Sequence, residues 1–173
     1  MTGYDHLLAE TIGFTAARDM DEHDRDVVTS IIQTRVPDVS RYVTGGARGG
    51  DACIGYFLYA TRPRAEHVVI VPANRSQVDP WWETVIRRGG AVTVIQMPED
   101  TTYADRNQRI VEESDALVGF PAYPENDVRS QRSGTWQTIR MAQRAETLSQ
   151  WHCAKPPYAG RIEKYIETRH QPI

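Results

Sequence analysis

The sequence predicts an α/β fold, a Rossmann-like doubly wound sheet of five to six mainly parallel strands with helices on both faces. Short apolar runs alternate along the chain with segments of helical spacing, and two glycine-bearing turns each join an apolar run to a helical segment. Continuous apolar runs are typical of strands that helices cover on both faces, and parallel strands need such helices as crossovers. The length of 173 residues favours a single domain over residues 1–173, with its core at about 11–153.

Six apolar runs have the length and composition of buried strands. Turn-forming residues separate them from the helical segments, and Pro72, for example, closes the third run. The strands are expected at residues 11–15, 41–44, 68–71, 91–95, 116–120 and 148–153.

Capping residues and apolar spacing predict the helices. Asp21 is placed to cap the first helix, and Asp79-Pro80 starts the third. Gly89-Gly90 ends the third helix, since glycine is favoured just past a helix C-terminus. The other helices are expected at 51–60, 103–114 and 135–146, with a short amphipathic helix at about 159–169 that carries Ile162, Tyr165 and Ile166.

Two further features leave alternatives open. The polar segment 121–131 contains Pro124 and forms either a mobile flap over a pocket or an ordinary surface loop. Trp81, Trp82 and Trp136 could stack on a base, but helical aromatic residues more commonly pack in a core or a subunit interface. We favour core or interface, and we expect a homodimer.

Composition limits the classes of partner and cofactor. The net charge of -3 argues against general affinity for duplex nucleic acid, so nucleic acid is not expected as a partner. A local basic pocket remains open, because Lys155 and Lys164 are the only lysines among the 20 basic residues and arginine suits phosphate. Two cysteines without C-x-x-C spacing and five scattered histidines predict no metal site.

The chain has neither the long apolar stretch of a membrane span nor the start of a secretory signal. We therefore expect a soluble cytoplasmic protein that makes no membrane contact and requires no cofactor.

The two glycine-bearing turns, residues 44–51 and 132–135, predict a phosphate site. Backbone N–H groups at a helix N-terminus lack intrahelical partners and lie at the positive end of the helix dipole, so an oxyanion satisfies both. Neither turn fits a Walker A loop or the G-x-G-x-x-G dinucleotide pattern. The glycines could also do no more than form a tight strand-to-helix turn.

Several side chains could complete such a site. Arg48 and Arg106 could bind phosphate, and Asn107 could contact a base or a sugar. Asp51 is most simply a helix cap, with ribose binding as the second possibility. The residues predicted to bind the ligand are Thr15, Arg18, Gly45, Gly46, Ala47, Arg48, Gly49, Asp51, Arg106, Asn107, Ser133, Gly134 and Thr135.

The runs at 44–51, 103–107, 114–117 and 132–136, taken together in their order and spacing, resemble the SMF/DprA–LOG superfamily. The resemblance covers about residues 12–145. It implies a Rossmann-like fold that binds nucleotides or nucleotide derivatives. In that family the DprA relatives bind single-stranded DNA, and the Lonely Guy relatives hydrolyse nucleoside monophosphates.

The Lonely Guy motif Pro-Gly-Gly-x-Gly-Thr-x-x-Glu is only partly present. Its glutamate is needed for N-glycosidic cleavage, and Thr138 stands at that position here. By the same matching, Gly45, Gly46, Gly134 and Thr135 are similar to the family's phosphate cradle and Arg106 to its arginine. If the chain is an enzyme, the catalytic candidates are Arg106, Glu112 and Glu113.

These observations favour a module that binds a nucleotide or a nucleotide derivative through its phosphate. The first alternative is a nucleoside 5'-monophosphate phosphoribohydrolase of the Lonely Guy type. The second is DprA-like binding of single-stranded DNA.

Overall fold

The computed structural model describes residues 9–155 and the backbone of 162–166. Six strands form one parallel sheet, which confirms the predicted Rossmann-like α/β fold: β1 (Thr11–Ala16), β2 (Arg41–Gly45), β3 (Glu66–Val71), β4 (Thr93–Gln96), β5 (Ala116–Phe120) and β6 (Leu148–His152). Five α-helices connect them: α1 (Glu22–Arg35), α2 (Gly50–Thr61), α3 (Pro80–Arg87), α4 (Tyr103–Glu112) and α5 (Gly134–Arg144).

The strand order creates a crevice between β1 and β5. The order is β4-β3-β2-β1-β5-β6, followed by one further strand, so the chain moves outward from β1 to β4 and then returns to place β5 beside β1. Connections leave β1 and β5 in opposite directions, and in such sheets ligands bind beyond the carboxyl ends of the strands at this point. Ala16 pairs with Phe120 in the register of these two strands, so their carboxyl ends lie level.

The predicted caps explain where the helices begin. Asp21 accepts a hydrogen bond from the N–H of Asp24, and Asp24 accepts one from the N–H of Asp21, a reciprocal capping box at the start of α1. Asp79 caps α3 and Pro80 occupies its first turn. Both capping predictions are confirmed.

The expected C-terminal helix is wrong where the chain is described. Residues Ile162–Ile166 form β7, an antiparallel edge strand paired with β6, and the rest of the 159–169 segment lies outside the described residues. The apolar positions 162 and 166 fit either a helix or a strand, because they are four apart. Isoleucine and tyrosine favour strands, and β6 offered an unpaired edge.

Both faces of the sheet are covered. On one face, Phe14 of β1 packs in a cluster with Val28 of α1 and Leu58 of α2. On the other face, Leu117 of β5 packs with Ile110 of α4. The tryptophans belong mainly to this core: Trp82, Trp136 and Trp151 are at most 2% exposed, whereas Trp81 is half-buried. Among the described residues, no helix has both the length and the apolar character needed to cross a bilayer.

Gly55 of α2 provides a test of this packing. A Cβ at that position would lie 2.5 Å from Trp82 Cζ2 and 3.1 Å from Thr44 Oγ1. Alanine normally stabilises a helix interior by about 1 kcal/mol relative to glycine. Here we expect Gly55→Ala to lower the free energy of unfolding by about 1–2 kcal/mol, because the buried tryptophan cannot move aside without strain.

Urea denaturation measures this difference. Gly134→Ala is the matched control, since the nearest atom to its added Cβ would be Asn107 Nδ2 at 3.9 Å. A Gly55→Ala protein more stable than the wild type would contradict the close packing of α2 on α3.

Candidate functional site

A cavity of about 500 Å³ lies beyond the carboxyl ends of the strands, at the crevice between β1 and β5. We call it the carboxyl-edge cavity. The loops after β1, β2 and β5 contribute to it together with the first turns of α4 and α5. Its lining consists of Thr15, Ala16, Ala17, Arg18, Asp19, Ala47, Arg48, Asp51, Tyr103, Arg106, Asn107, Ala122, Tyr123, Arg132, Ser133, Gly134, Thr135, Gln137 and Lys155.

The cavity brings together ten of the thirteen residues that the sequence predicts to bind a ligand. Both glycine-bearing segments reach it, since Ala47 and Arg48 come from one and Ser133, Gly134 and Thr135 from the other. Gly45, Gly46 and Gly49 do not line it.

A buried ion pair holds the floor of the cavity together. Asp51 Oδ2 accepts a hydrogen bond from Arg106 Nη1 at 2.8 Å, and Asp51 Oδ1 accepts one from the backbone N–H of Ala16 at 2.9 Å. The side chains of Asp51 and Arg106 are 7% and 6% exposed. One carboxylate therefore joins the end of β1, the start of α2 and the second turn of α4.

This geometry corrects the expected role of Asp51. The N-cap position of α2 is Gly49, which makes no side-chain capping bond, and Asp51 lies inside the first turn. Asp51 therefore does not cap α2; its carboxylate links β1 to α4, and ribose binding stays a prediction.

Gly45 lies directly under the ion pair. A Cβ on Gly45 would overlap the guanidinium of Arg106 and would lie 2.6 Å from Asp51 Oδ2. The residue is thus needed as glycine to admit the arginine side chain.

The other two glycines outside the cavity also serve the turn itself. The N–H of Gly46 donates to the carbonyl oxygen of Ile70, and its own carbonyl oxygen accepts from the N–H of Asp79. Gly49 has a φ of +101°, and its Cα packs against the backbone of Arg18. The alternative of a tight strand-to-helix turn therefore describes Gly45, Gly46 and Gly49.

Arg106 has a buried donor that the protein does not satisfy. Its Nη1 serves Asp51, whereas its Nε is buried and has no acceptor among the described residues. Asn107, the next residue of α4, is 5% exposed and also lines the cavity. A buried donor without a partner costs about 1–3 kcal/mol.

The start of α5 faces the same space. Ser133 caps this 11-residue helix by accepting a hydrogen bond from the N–H of Trp136. Gly134 and Thr135, its first two residues, line the cavity. The positive end of the α5 dipole is therefore available to an anion.

Three exposed arginines surround the opening. Arg18, Arg48 and Arg132 line the cavity and form no ion pair with the carboxylates of residues 9–155. Tyr103 lies near two cations, with Arg18 Cζ at 5.2 Å and Arg106 Cζ at 5.5 Å from its ring centroid.

Lys155 is a cation of this cavity that the sequence predictions omitted. Its Nζ forms an ion pair with Asp24 at 2.8 Å, and the hydrogen bond to that carboxylate raises the pKa of Lys155. Lys155 is one of only two lysines in the chain, and this rarity was the sequence feature that could have identified it. The predictions also missed Asp19, Tyr103, Tyr123, Arg132 and Gln137.

The segment 121–131 packs against α5. Trp136 Nε1 donates to the carbonyl oxygen of Tyr123 at 2.9 Å, and the hydroxyl of Ser130 donates to the same oxygen. Glu125 forms an ion pair with Arg140. The geometry is that of an anchored surface loop that contributes Tyr123 to the cavity.

The carboxylates proposed for catalysis are not brought to the cavity. Glu112 and Glu113 lie at the C-terminal end of α4, and Glu113 pairs with Arg41 at the start of β2, on the opposite edge of the sheet. Thr138 is buried, and its hydroxyl donates to the carbonyl oxygen of Gly134. Asp19 and Asp51 are the only carboxylates that line the cavity within the described part of the chain.

The ion pair of Asp51 and Arg106 can be tested by unfolding. We expect Asp51→Ala to cost about 3–5 kcal/mol, because it leaves a buried guanidinium without its partner. The double variant Asp51→Ala/Arg106→Leu is expected to be more stable than Asp51→Ala alone, since the second change removes the uncompensated charge.

Urea denaturation of the four proteins of this cycle gives the coupling energy. Glu125→Ala is the control, because it breaks an exposed carboxylate–arginine pair and should cost under about 1 kcal/mol. If Asp51→Ala and Glu125→Ala lower the free energy of unfolding equally, the buried pair stabilises the protein no more than the exposed one.

Comparisons with known proteins identify a structural neighbour. No family model matches the chain, and no curated protein matches it. Among solved structures, the chain is similar to DNA processing protein A from Helicobacter pylori, described for its single-stranded DNA binding mode, with a TM-score of 0.52 and 14% sequence identity. The match covers 80% of this chain and 63% of that one, so the chain spans under two thirds of the neighbour's length.

The neighbour belongs to the family that the sequence motifs resemble, and at this identity the likeness shows the fold. It also corrects one expectation. Nucleic acid was not expected as a partner on the basis of a net charge of -3. That exclusion is wrong, because a protein that binds single-stranded DNA has this fold.

Proposed function

We propose that the carboxyl-edge cavity binds a nucleotide unit through its phosphate. The observation that carries the proposal is the convergence of Arg18, Arg48 and Arg132 with the N-terminus of α5 on one cavity. A phosphate would accept hydrogen bonds from these groups, and charge-assisted hydrogen bonds of this kind are among the stronger ones in proteins.

The charges around Arg106 support an anionic ligand. Asp51 is already neutralised by Arg106, which leaves Asp19 as the remaining carboxylate of the lining. Arg18, Arg48 and Arg132 line the same cavity, together with the N-terminus of α5. The net charge of the lining therefore favours an anion, and the planar guanidinium groups of the arginines match the geometry of phosphate.

The size of the cavity favours a nucleotide over a free phosphate ion. A volume of about 500 Å³ lies within the range of small-molecule sites. Asn107 offers an amide that can bind a base edge, while Tyr103 and Tyr123 offer aromatic surface. These groups line the same cavity as the cations, as a ligand with a phosphate, a sugar and a base requires.

Binding of thymidine 5'-monophosphate tests this assignment by calorimetry. We expect Arg48→Ala and Arg132→Ala each to weaken binding about tenfold, because each removes one charged donor to phosphate. Thymidine without phosphate is expected to bind far more weakly than the monophosphate.

Arg87→Ala is the matched control, since it removes an exposed arginine at the far end of α3. If Arg48→Ala and Arg132→Ala bind as tightly as this control, or if thymidine equals its monophosphate, the phosphate site is not where we place it.

Single-stranded DNA is the second candidate ligand. The protein's structural neighbour, which has this fold, is described for its single-stranded DNA binding mode. The phosphodiesters of a strand also accept hydrogen bonds from arginine, so the same cations would hold it. Single-strand binding sites combine a positive groove with aromatic rings, and the cavity contains both.

Salt dependence separates a strand from a free nucleotide. For a ten-residue oligothymidylate we expect log K to fall steeply with log salt, by about 0.7 for each phosphate contact. Arg48→Ala should reduce that slope by about 0.7, because it removes one such contact. Fluorescence anisotropy at several salt concentrations measures the slope, with Arg87→Ala as control. An oligonucleotide that binds no tighter than the monophosphate, with a flat slope, would assign the cavity to free nucleotides.

A further inference from the structure

A second cavity opens on the other side of the first glycine-bearing turn. It has a volume of about 470 Å³ and lies between α1, α2 and α3. We call it the aromatic cleft. Its lining consists of Arg25, Thr29, Gly49, Ala52, Cys53, Tyr56, Phe57, Asp79 and Trp81.

The aromatic cleft adjoins the carboxyl-edge cavity through the chain itself. Arg48 lines the carboxyl-edge cavity and Gly49 lines the cleft. Consecutive Cα atoms are about 3.8 Å apart, so one turn forms a wall of both spaces. A ligand that passes over this turn would enter both.

Tyr56 and Trp81 give the cleft an exposed aromatic surface. Tyr56 is 53% exposed, and its ring stands edge-on to Trp81 with centroids 4.9 Å apart. Trp81 in turn packs on the buried Trp82, with centroids 4.5 Å apart. Because the two rings are nearly perpendicular, a planar group can stack face to face on one of them, and Tyr56 is the more exposed.

The lining of the cleft carries one cation, Arg25, and one carboxylate, Asp79. Arg25 is exposed and forms no ion pair with the described carboxylates. Asp79 is occupied as the cap of α3, where it accepts from the N–H of Trp81. One cation beside an exposed ring fits a phosphate next to a base.

We propose that the aromatic cleft holds a base of single-stranded nucleic acid. The base belongs to a nucleotide that neighbours the one whose phosphate lies in the carboxyl-edge cavity. It stacks on Tyr56, whose ring stands edge-on to Trp81, while the strand crosses the turn at Arg48 and Gly49 and Arg25 meets its backbone. This assignment rests on the proposed function in its single-strand form. It extends the binding surface from one nucleotide to at least two.

The test compares a ten-residue oligothymidylate with thymidine 5'-monophosphate. Base stacking on an aromatic side chain is strong enough that Tyr56→Ala should weaken oligonucleotide binding about tenfold. Tyr56→Phe, which keeps the ring, should bind like the wild type. Affinity for the monophosphate, which occupies only the carboxyl-edge cavity, should stay within about twofold in both variants.

Intrinsic fluorescence gives an independent readout. Of the four tryptophans, Trp82, Trp136 and Trp151 are at most 2% exposed, so Trp81 is the one accessible to a stacked base. The oligonucleotide should quench emission in the wild type and in Tyr56→Phe, whereas the monophosphate should not.

The outcomes separate this inference from the proposed function. If the oligonucleotide binds Tyr56→Ala as tightly as the wild type and quenches nothing, the cleft assignment is overturned and the phosphate site stands. If neither ligand binds the wild type, both fail. A second copy of the chain is the other possible occupant of the cleft, and sedimentation tests it. If the wild type is a dimer, and Tyr56→Ala is a monomer that still binds the oligonucleotide, the cleft is assigned to a second copy of the chain.

Discussion

The buried ion pair of Asp51 and Arg106 organises the carboxyl edge of this protein. Asp51 belongs to the first turn of α2. Its carboxylate accepts one hydrogen bond from the N–H of Ala16 at the end of β1 and one from Arg106 of α4. The three elements therefore hold one another in place. Gly45 has to be glycine because the guanidinium crosses over it. The same contact fixes the guanidinium with one nitrogen committed to Asp51 and another, Nε, left buried without an acceptor.

The topology explains why this pair and the cavity occur together. Connections leave β1 and β5 in opposite directions, so no crossover helix covers the space beyond their carboxyl ends. The N–H of Ala17 still donates to the carbonyl oxygen of Phe120, which keeps the two strands paired up to the rim. Side chains from α2, α4 and α5 then converge on a space with a rigid base. The ion pair is buried there because three layers meet, and the arginines at the opening remain solvated.

The fold could be predicted from the sequence, whereas the roles of the glycines could not. Continuous apolar runs and caps such as Asp21 are local signals, so the six parallel strands and five helices could be predicted from them. The edge strand β7 could not, because residues at 162 and 166 fit two periods and only the free edge of β6 decided between them. At Gly45 the sequence shows that there is no side chain, but it does not show which group fills the space. In the structure the guanidinium of Arg106 fills it.

Charge averaged over the chain also conceals the local distribution that matters for binding. A net charge of -3 coexists with five cations and two carboxylates around one cavity. Asp51 is neutralised within the floor, so the field at the opening comes mainly from Arg18, Arg48 and Arg132. Arg48 lies on the turn that also forms a wall of the aromatic cleft, so a turn that carries an exposed cation adjoins a cleft that carries the exposed ring of Tyr56. Phosphate and base are covalently joined in any nucleotide strand, so this adjacency favours a polymeric ligand over an isolated anion.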